Sequence, residues 1–214
     1  VSGGDGKRYN GNHGGSGGAG GSLLINLKEP MSGTGTIKAV GGNGGWYYAG
    51  GGCGGRVAIH CPKSTIKSTF TGQIKVHGGA TAAATTWGFY DSSKDHAGSG
   101  TIYESCGDTE KFLRIDNDDG YADKKSLATT IVENVVKDDA LIKVGELQLL
   151  GGSAIAFSPL GLPPSVKVVI DTNDINGDAS SRIEVKDNQI LYLRGKDVKG
   201  REIEIKSTKE VATA

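Results

Sequence analysis

The chain is poor in the residues that usually build a compact core or a reactive site. It has one methionine, three cysteines, five prolines and only 6% aromatic residues among 214. It has no excess of either charge, since Lys+Arg and Asp+Glu each number 24 and the formal net charge is zero. A nucleic-acid surface needs a basic excess to release counterions, so nucleic acid is not an expected partner. No 18-residue apolar run is present, so no membrane-inserted helix is expected. No C-x-x-C pair, no G-x-x-x-x-G-K-[ST] loop and no N-x-[ST] sequon occurs, and no G-x-S-x-G stands between a strand and a helix. These absences remove the usual signals for a zinc knuckle, a phosphate cradle, N-glycosylation and a nucleophile elbow. The chain opens on Val1 with neither an initiator methionine nor a signal peptide, which suggests a processed or excised piece.

What the chain does have is glycine: 36 residues, about twice the usual share. Twenty-seven lie at or before Cys106 and nine after it. The glycine-rich part alternates short β-type runs with glycine tracts, and the runs repeat. GSLLINL (21–27), GGRVAIHC (54–61) and GSGTIYESC (98–106) form one type. GTGTIKAVGG (33–42) and FTGQIKVHGG (70–79) form another. Ile25 and Ile59 are 34 positions apart, and Ile37 and Ile74 are 37 apart.

Each run alternates, with Ile37 and Ala39 on one side and Thr36 and Lys38 on the other. That is the period of a half-buried strand. No single run can bury a core alone, but stacked in parallel register the runs cover one another at the ~4.8 Å strand spacing. The expected fold is therefore all-β: a parallel β-helix or β-solenoid. Glycine suits its returns because it reaches positive φ at corners. It also lets extended polyglycine II-like backbones, such as 11–21 and 41–45, approach closely.

From Gly107 onward the composition becomes charged and rich in Val and Ile. Leu141–Val144, Leu147–Leu150, Val166–Ile170, Arg182–Lys186, Ile190–Arg194 and Glu202–Lys206 read as strands. Ile183, Val185, Ile203 and Ile205 are expected to point inward. Residues 127–136 carry both helical spacing and a β-branched run, and the run favours strand. The expected division is 1–117 as glycine-rich solenoid repeats and 118–214 as a β-rich continuation or cap.

The strings GGAGGSLLINL, GTGTIKAVGGNGG and GGGCGGRVAIHC resemble a glycine-rich repeat of very large secreted or cell-surface, adhesin-like proteins. Its elements fall on Gly21–Ile25, Gly33–Gly42 and Gly50–Ile59, with Cys53 at a usual glycine position. Later elements fall on Gly98–Tyr103 and Leu113–Asn117. The resemblance implies rod-like extracellular sections and carries no catalytic residue.

Site candidates are few. Cys61 and Cys106 end runs of one type, so stacked runs would bring their sulfurs within bridging distance. A Cys53–Cys61 link and three reduced thiols are the alternatives. His13, His60, His77 and His96 show no fixed metal-binding spacing and read as structural. Asp174, Asn176 and Asp178 have the one-three-five spacing of a calcium loop. Ala179 replaces the turn glycine, however, and Val185 stands where a bidentate carboxylate belongs. Calcium is the only cofactor suggested, DNDDG at 116–120 is a second oxygen-rich turn, and the commoner reading of both is a plain Asx turn between strands. Trp46, Tyr47 and Tyr48, with Trp87 and Tyr90, sit in two glycine loops. They would either form an aromatic strip for glycans or lock the loops together. The leading expectation is a non-catalytic extracellular structural module, in a fibre, surface appendage or large adhesin. Its partners would be copies of itself or neighbouring sections of a longer chain. A carbohydrate-binding module and a β-helical polysaccharide-active enzyme are the alternatives.

Overall fold

The computed structural model describes residues 1–8, 13–29, 31–46, 49–61, 69–81, 97–106, 110–118, 129–131, 135–136, 139–157, 166–178, 181–184, 189–196 and 202–207. Among these residues the regular elements are all strands, so the fold is all-β. The glycine-rich half supplies β1 (Ser22–Asn26), β2 (Ser32–Gly33), β3 (Thr36–Lys38), β4 (Arg56–Cys61), β5 (Thr69–Phe70), β6 (Gln73–Lys75) and β7 (Thr101–Cys106).

Runs of one type lie beside one another. β1, β4 and β7 are parallel neighbours, with Leu23 opposite Val57 opposite Ile102 and Ile25 opposite Ile59. β3 lies parallel to β6 with Ile37 opposite Ile74, and β2 lies parallel to β5. The apolar side chains of the two larger groups meet. Ala39, Val57, Ile59, Val76 and Ile102 form a buried cluster, with Leu23, Ile25, Leu27, Met31, Ile37 and Ile74 packed at its margin. Full burial of each Val or Ile stabilises the fold by roughly 1.5–3 kcal/mol. The short alternating runs therefore reach a core only collectively.

The glycine tracts join these strands and are bonded mainly through backbone, with Asp5 Oδ1 accepting from Asn43 N and Asn43 Oδ1 from Ala80 N. One set, 1–7, 39–45 and 76–80, runs in a common direction, joined by Gly3 N to Val40 O (2.9 Å), Gly6 N to Asn43 O (2.8 Å) and Gly41 N to His77 O (3.0 Å). The other set, 13–21, 50–55 and 97–100, is joined by Gly17 N to Gly50 O (2.9 Å) and Gly54 N to Gly98 O (2.9 Å). Antiparallel bonds connect the two sets, among them Gly42 N to Gly18 O and Gly52 N to Gly42 O, each 2.8 Å. Donors to one neighbour recur at every third residue: Gly41 and Gly44 donate to 76–80, and Gly42 and Gly45 to 13–21. A β-strand would give a period of two, whereas three is the period of the extended polyproline II conformation. Glycine is required by contact here: a Cβ on Gly52 would strike the carbonyl of Gly18, and one on Gly42 the carbonyl of Gly4.

The second half supplies β8 (Glu110–Asp116), β9 (Thr129–Ile131), β10 (Val135–Val136), β11 (Asp139–Leu150), β12 (Ala154–Phe157), β13 (Val166–Gly177), β14 (Arg182–Glu184), β15 (Gln189–Lys196) and β16 (Glu202–Ser207). β8 pairs antiparallel with β7, then β8, β11, β13 and β15 follow in parallel, and antiparallel β16 ends the sheet. β12 lies between β9 and β14 in a separate parallel sheet. Gly151 and Gly152, with φ of 67° and 71°, make the corner from β11 to β12.

The reversal at β7–β8 moves the core across the long sheet. Paired residues share a face. One face carries Leu23, Val57, Ile102, Arg114, Gln148 and Asn176 in successive partners. It is apolar over the first three strands and polar over the next three. The opposite face carries Leu24, Ala58, Tyr103, Leu113 and Leu147, and burial there begins at Leu113. Leu113, Ile115, Leu147 and Leu149 are buried on that side, as are the β12 residues Ala154–Ala156.

Two strand expectations change. Leu141–Val144 and Leu147–Leu150 are one strand, because the extended backbone runs through Gly145. The stretch 174–178, read as an Asx turn or a calcium loop, is the end of a strand that continues to Gly177. Residues 129–131 and 135–136 are strands, the outcome favoured by β-branching. Ile183 lies opposite the buried Ile155 in β14–β12. Ile203 and Ile205 lie in β16, while Val185 falls outside the described residues.

Candidate functional site

Cys61 and Cys106 are register partners at the ends of β4 and β7, with Cα atoms 4.3 Å apart, and a disulfide joins them. The bond ties two parallel neighbours that are 45 residues apart in sequence. Cys53 is a free, exposed thiol, so the Cys53–Cys61 alternative does not form.

Of the aromatic candidates, Trp46 is half-buried, with the Arg8 guanidinium 4.3 Å from its ring centroid. This contact fastens one glycine segment to another and covers a ring face that a sugar would otherwise use. Tyr47, Tyr48, Trp87 and Tyr90 lie outside the described residues.

The calcium candidates are engaged with protein groups. Asn176 Nδ2 donates to Asp174 Oδ2 (3.1 Å) and to Glu146 Oε1 (2.8 Å) on β11. Asp178 lies beyond the strand, where Oδ2 accepts from Gly151 N (2.6 Å) and Oδ1 from Ser181 Oγ (3.0 Å). An extended strand sets residues i and i+2 side by side along one face. It does not wrap them around an ion, which is why the spacing that suits a loop gives no cage here. Among the described residues no group of three His, Cys, Asp or Glu side chains is arranged to hold a metal.

A polar row follows the exposed face of β8, β11 and β13. Arg114 Nε donates to Gln148 Oε1 (3.1 Å), and Gln148 Nε2 donates to Glu146 Oε1 (2.6 Å). The Arg114 guanidinium lies 5.2 Å from the Phe112 ring centroid. Glu104 shares this face as the partner of Phe112 and Ile59. Burial pushes its carboxyl above the usual carboxylate value, and the nearby Arg114 charge partly offsets the rise.

A cavity of about 160 Å³ opens where β6 meets the end of β8, lined by Gln73–His77, Asp116 and Asp118. Lys75 Nζ donates to Asp118 Oδ2 at 3.1 Å, and His77 Nε2 lies 3.9 Å from the same oxygen. Asp116 Oδ1 accepts the Asp118 N–H (2.9 Å), closing a turn in which Asp118 has φ 65°. Asn117, fully buried between them, accepts Gly78 N–H on Oδ1 (3.3 Å) and donates its own N–H to Leu150 O (3.1 Å). The turn at Asp116–Asp118 thus fastens the glycine-rich half to the second half. Its partners Lys75 and Gly78 are about forty positions away, so local sequence does not point to them.

The remaining histidines follow the same theme. His60 is exposed and packs its ring against Tyr103, with centroids 5.8 Å apart. His13 is exposed, and His96 lies outside the described residues. Across the Cys61–Cys106 pair, the Arg8–Trp46 contact and the acids, the groups seen together hold segment to segment. Comparison with protein-family models, curated proteins and solved structures finds no match to the chain.

Proposed function

We propose that the chain is a β-solenoid section with a polyglycine II-type raft, acting as a non-catalytic extracellular structural module of a fibre, surface appendage or large adhesin. The observation that carries this reading is the parallel register of like runs, Ile25 on Ile59 and Ile37 on Ile74, with glycine tracts bonded in between. In such an architecture each layer depends on its neighbours, so length grows without a larger core. The Cys61–Cys106 bond supports an oxidising location, where such cross-links persist. Asp174, Asn176 and Asp178 bond to groups of the chain itself, which suits a load-bearing part better than a catalyst. The glycine-rich repeat of large surface proteins, which 10–117 resembles, fits the same reading.

Immunogold labelling of the native source with antibody to this chain tests it. Gold is expected along extracellular filaments or surface appendages. Labelling confined to the cell interior overturns the proposal.

A further inference from the structure

The glycine-rich stack repeats its hydrogen bonds from tract to tract, and the repeat breaks after 76–80. Gly3, Gly41 and Gly78 are each the third residue of the tracts 1–7, 39–45 and 76–80. Gly3 N donates to Val40 O (2.9 Å) and Gly41 N to His77 O (3.0 Å), in both cases a backbone carbonyl of the next tract. Gly78 N donates instead to Asn117 Oδ1 (3.3 Å). A side chain thus stands where the carbonyl of a following tract would be. Asn117 is fully buried and its own N–H donates to Leu150 O (3.1 Å), so the carboxamide is held in place from the second half.

Two further series change at the same level. The fifth residues of the tracts are Asp5, Asn43 and Ala80. Asp5 Oδ1 accepts the Asn43 N–H (2.7 Å), and Asn43 Oδ1 accepts the Ala80 N–H (2.9 Å). Ala80 has no side-chain oxygen to offer a following tract. The fourth residues are Gly4, Gly42 and Gly79, and a Cβ on Gly42 or Gly79 would strike a carbonyl of the tract before it. The turn that meets the third tract, Asp116–Asp118, contains no glycine. It meets the stack through side chains, Asn117 at Gly78 and Asp118 at Lys75.

β6 ends in the same way. It forms a two-stranded sheet with β3. Gln73 N donates to Gly35 O and Lys75 O accepts from Ala39 N, so these two residues turn their backbone groups to β3. Backbone groups alternate sides along a strand, so Ile74 turns its N–H and C=O the other way. The cavity of about 160 Å³ is lined by β6, Val76, His77, Asp116 and Asp118, and by no residue of β3. The long sheet passes on through β8 into the second half. Among the described residues the β3–β6 pair and the glycine tracts do not.

We infer that the Asp116–Asp118 turn is a built-in stop for the glycine-rich stack. Asn117 supplies the last acceptor in place of a further tract, and the second half closes the stack at this end instead of extending it. A section carrying the same repeat then has no open tract to stack on beyond 76–80. The stop rests on the stacking of like runs in the proposed function and does not require an extracellular location, so the two fail separately.

Amide hydrogen exchange of the full chain, read by nuclear magnetic resonance, tests it. Gly78 is expected to be protected as well as Gly41. Ile74 is expected to exchange about tenfold or more faster than Gln73 in the same strand, because only Gln73 donates within the sheet. Ile74 exchanging as slowly as Gln73 means that a strand covers β6, and it overturns the stop. Asn117→Leu removes the acceptor at nearly constant volume. It is expected to speed exchange at Gly78 by about fivefold or more while Gly41 keeps its protection. An unchanged Gly78, or equal acceleration at Gly78 and Gly41, overturns the role of Asn117. A synthetic peptide of residues 70–81, offered to the wild-type chain as a next rung at millimolar concentration, is expected to leave the Ile74 and Gly78 resonances in place. Saturable shifts at both overturn the stop. The wild-type measurements decide it even where Asn117→Leu does not fold.

Discussion

At the residue scale, what distinguishes one glycine from another is the distance to the next backbone. Gly52 and Gly50 are two positions apart in one tract, yet a Cβ on Gly52 would strike the Gly18 carbonyl and one on Gly50 would meet nothing within 4 Å. Gly52→Ala is expected to cost about 1–3 kcal/mol, the usual range for overpacking. Gly50→Ala is expected to leave stability unchanged or raise it by about 0.4–1 kcal/mol through the unfolded chain. Urea melts of the two variants check the contrast, and equal losses would show that backbone contact is not what glycine supplies. Glu104 makes a different kind of residue-scale statement. Its carboxyl sits in register with Ile59, and burial raises its pKa above the ordinary 4.5. Below that ordinary value both folded and unfolded forms are protonated and folding is not penalised. As pH rises towards the raised folded value, the unfolded chain ionises first and stability falls. Glu104→Gln is therefore expected to melt higher than wild type at pH 7 and equally at pH 4. A lower melting temperature at pH 7 would mean that attraction to Arg114 outweighs the cost of burial.

At the element scale, the disulfide closes a loop spanning β4 to β7 and so restricts the unfolded chain. Cys61→Ser with Cys106→Ser is expected to lose about 2–4 kcal/mol, the range for a loop of this length. Differential scanning calorimetry with and without reductant checks it, and reduction should reproduce the double substitution. The Cys61–Cys106 juxtaposition and the Ile25–Ile59 and Ile37–Ile74 pairings were readable because like runs carry like residues at like offsets. The parallel stacking of like runs was readable too, but the reversal at β8 was not. A period-two pattern is the same whether a strand lies parallel or antiparallel to its neighbour, so nothing in EKFLRID announces that β8 reverses against β7. Nor does it announce that Leu113 is buried on the face opposite to Ile102. The setting of the oxygen-rich stretch at 174–178 was hidden for a related reason. Asp174 and Asn176 resemble ion ligands locally, but their partners Glu146 and Gln148 belong to a strand almost thirty positions away.

At the scale of the whole molecule, one sheet serves two cores on opposite sides, and the β7–β8 pairing is the hydrogen-bonded seam between them. Lys75–Asp118 and Gly78–Asn117 add side-chain fastenings near that seam. At the seam the first core's columns meet charged groups, Glu104 opposite Ile59 and Arg114 opposite Ile102, and its buried cluster takes its members from the glycine-rich half. Cores that share a backbone ladder but not a packed interior should open as separate units. Ile59→Ala removes a buried side chain from the first core, at a cost of about 2–5 kcal/mol. The loss should appear in amide exchange at β1, β4 and β6, while amides around Leu147 and Ile170 keep their protection. Ile155→Ala should do the reverse. Exchange that accelerates uniformly across both halves after either substitution would show one cooperative unit. The change of sides at β8 would then be a matter of geometry without energetic consequence.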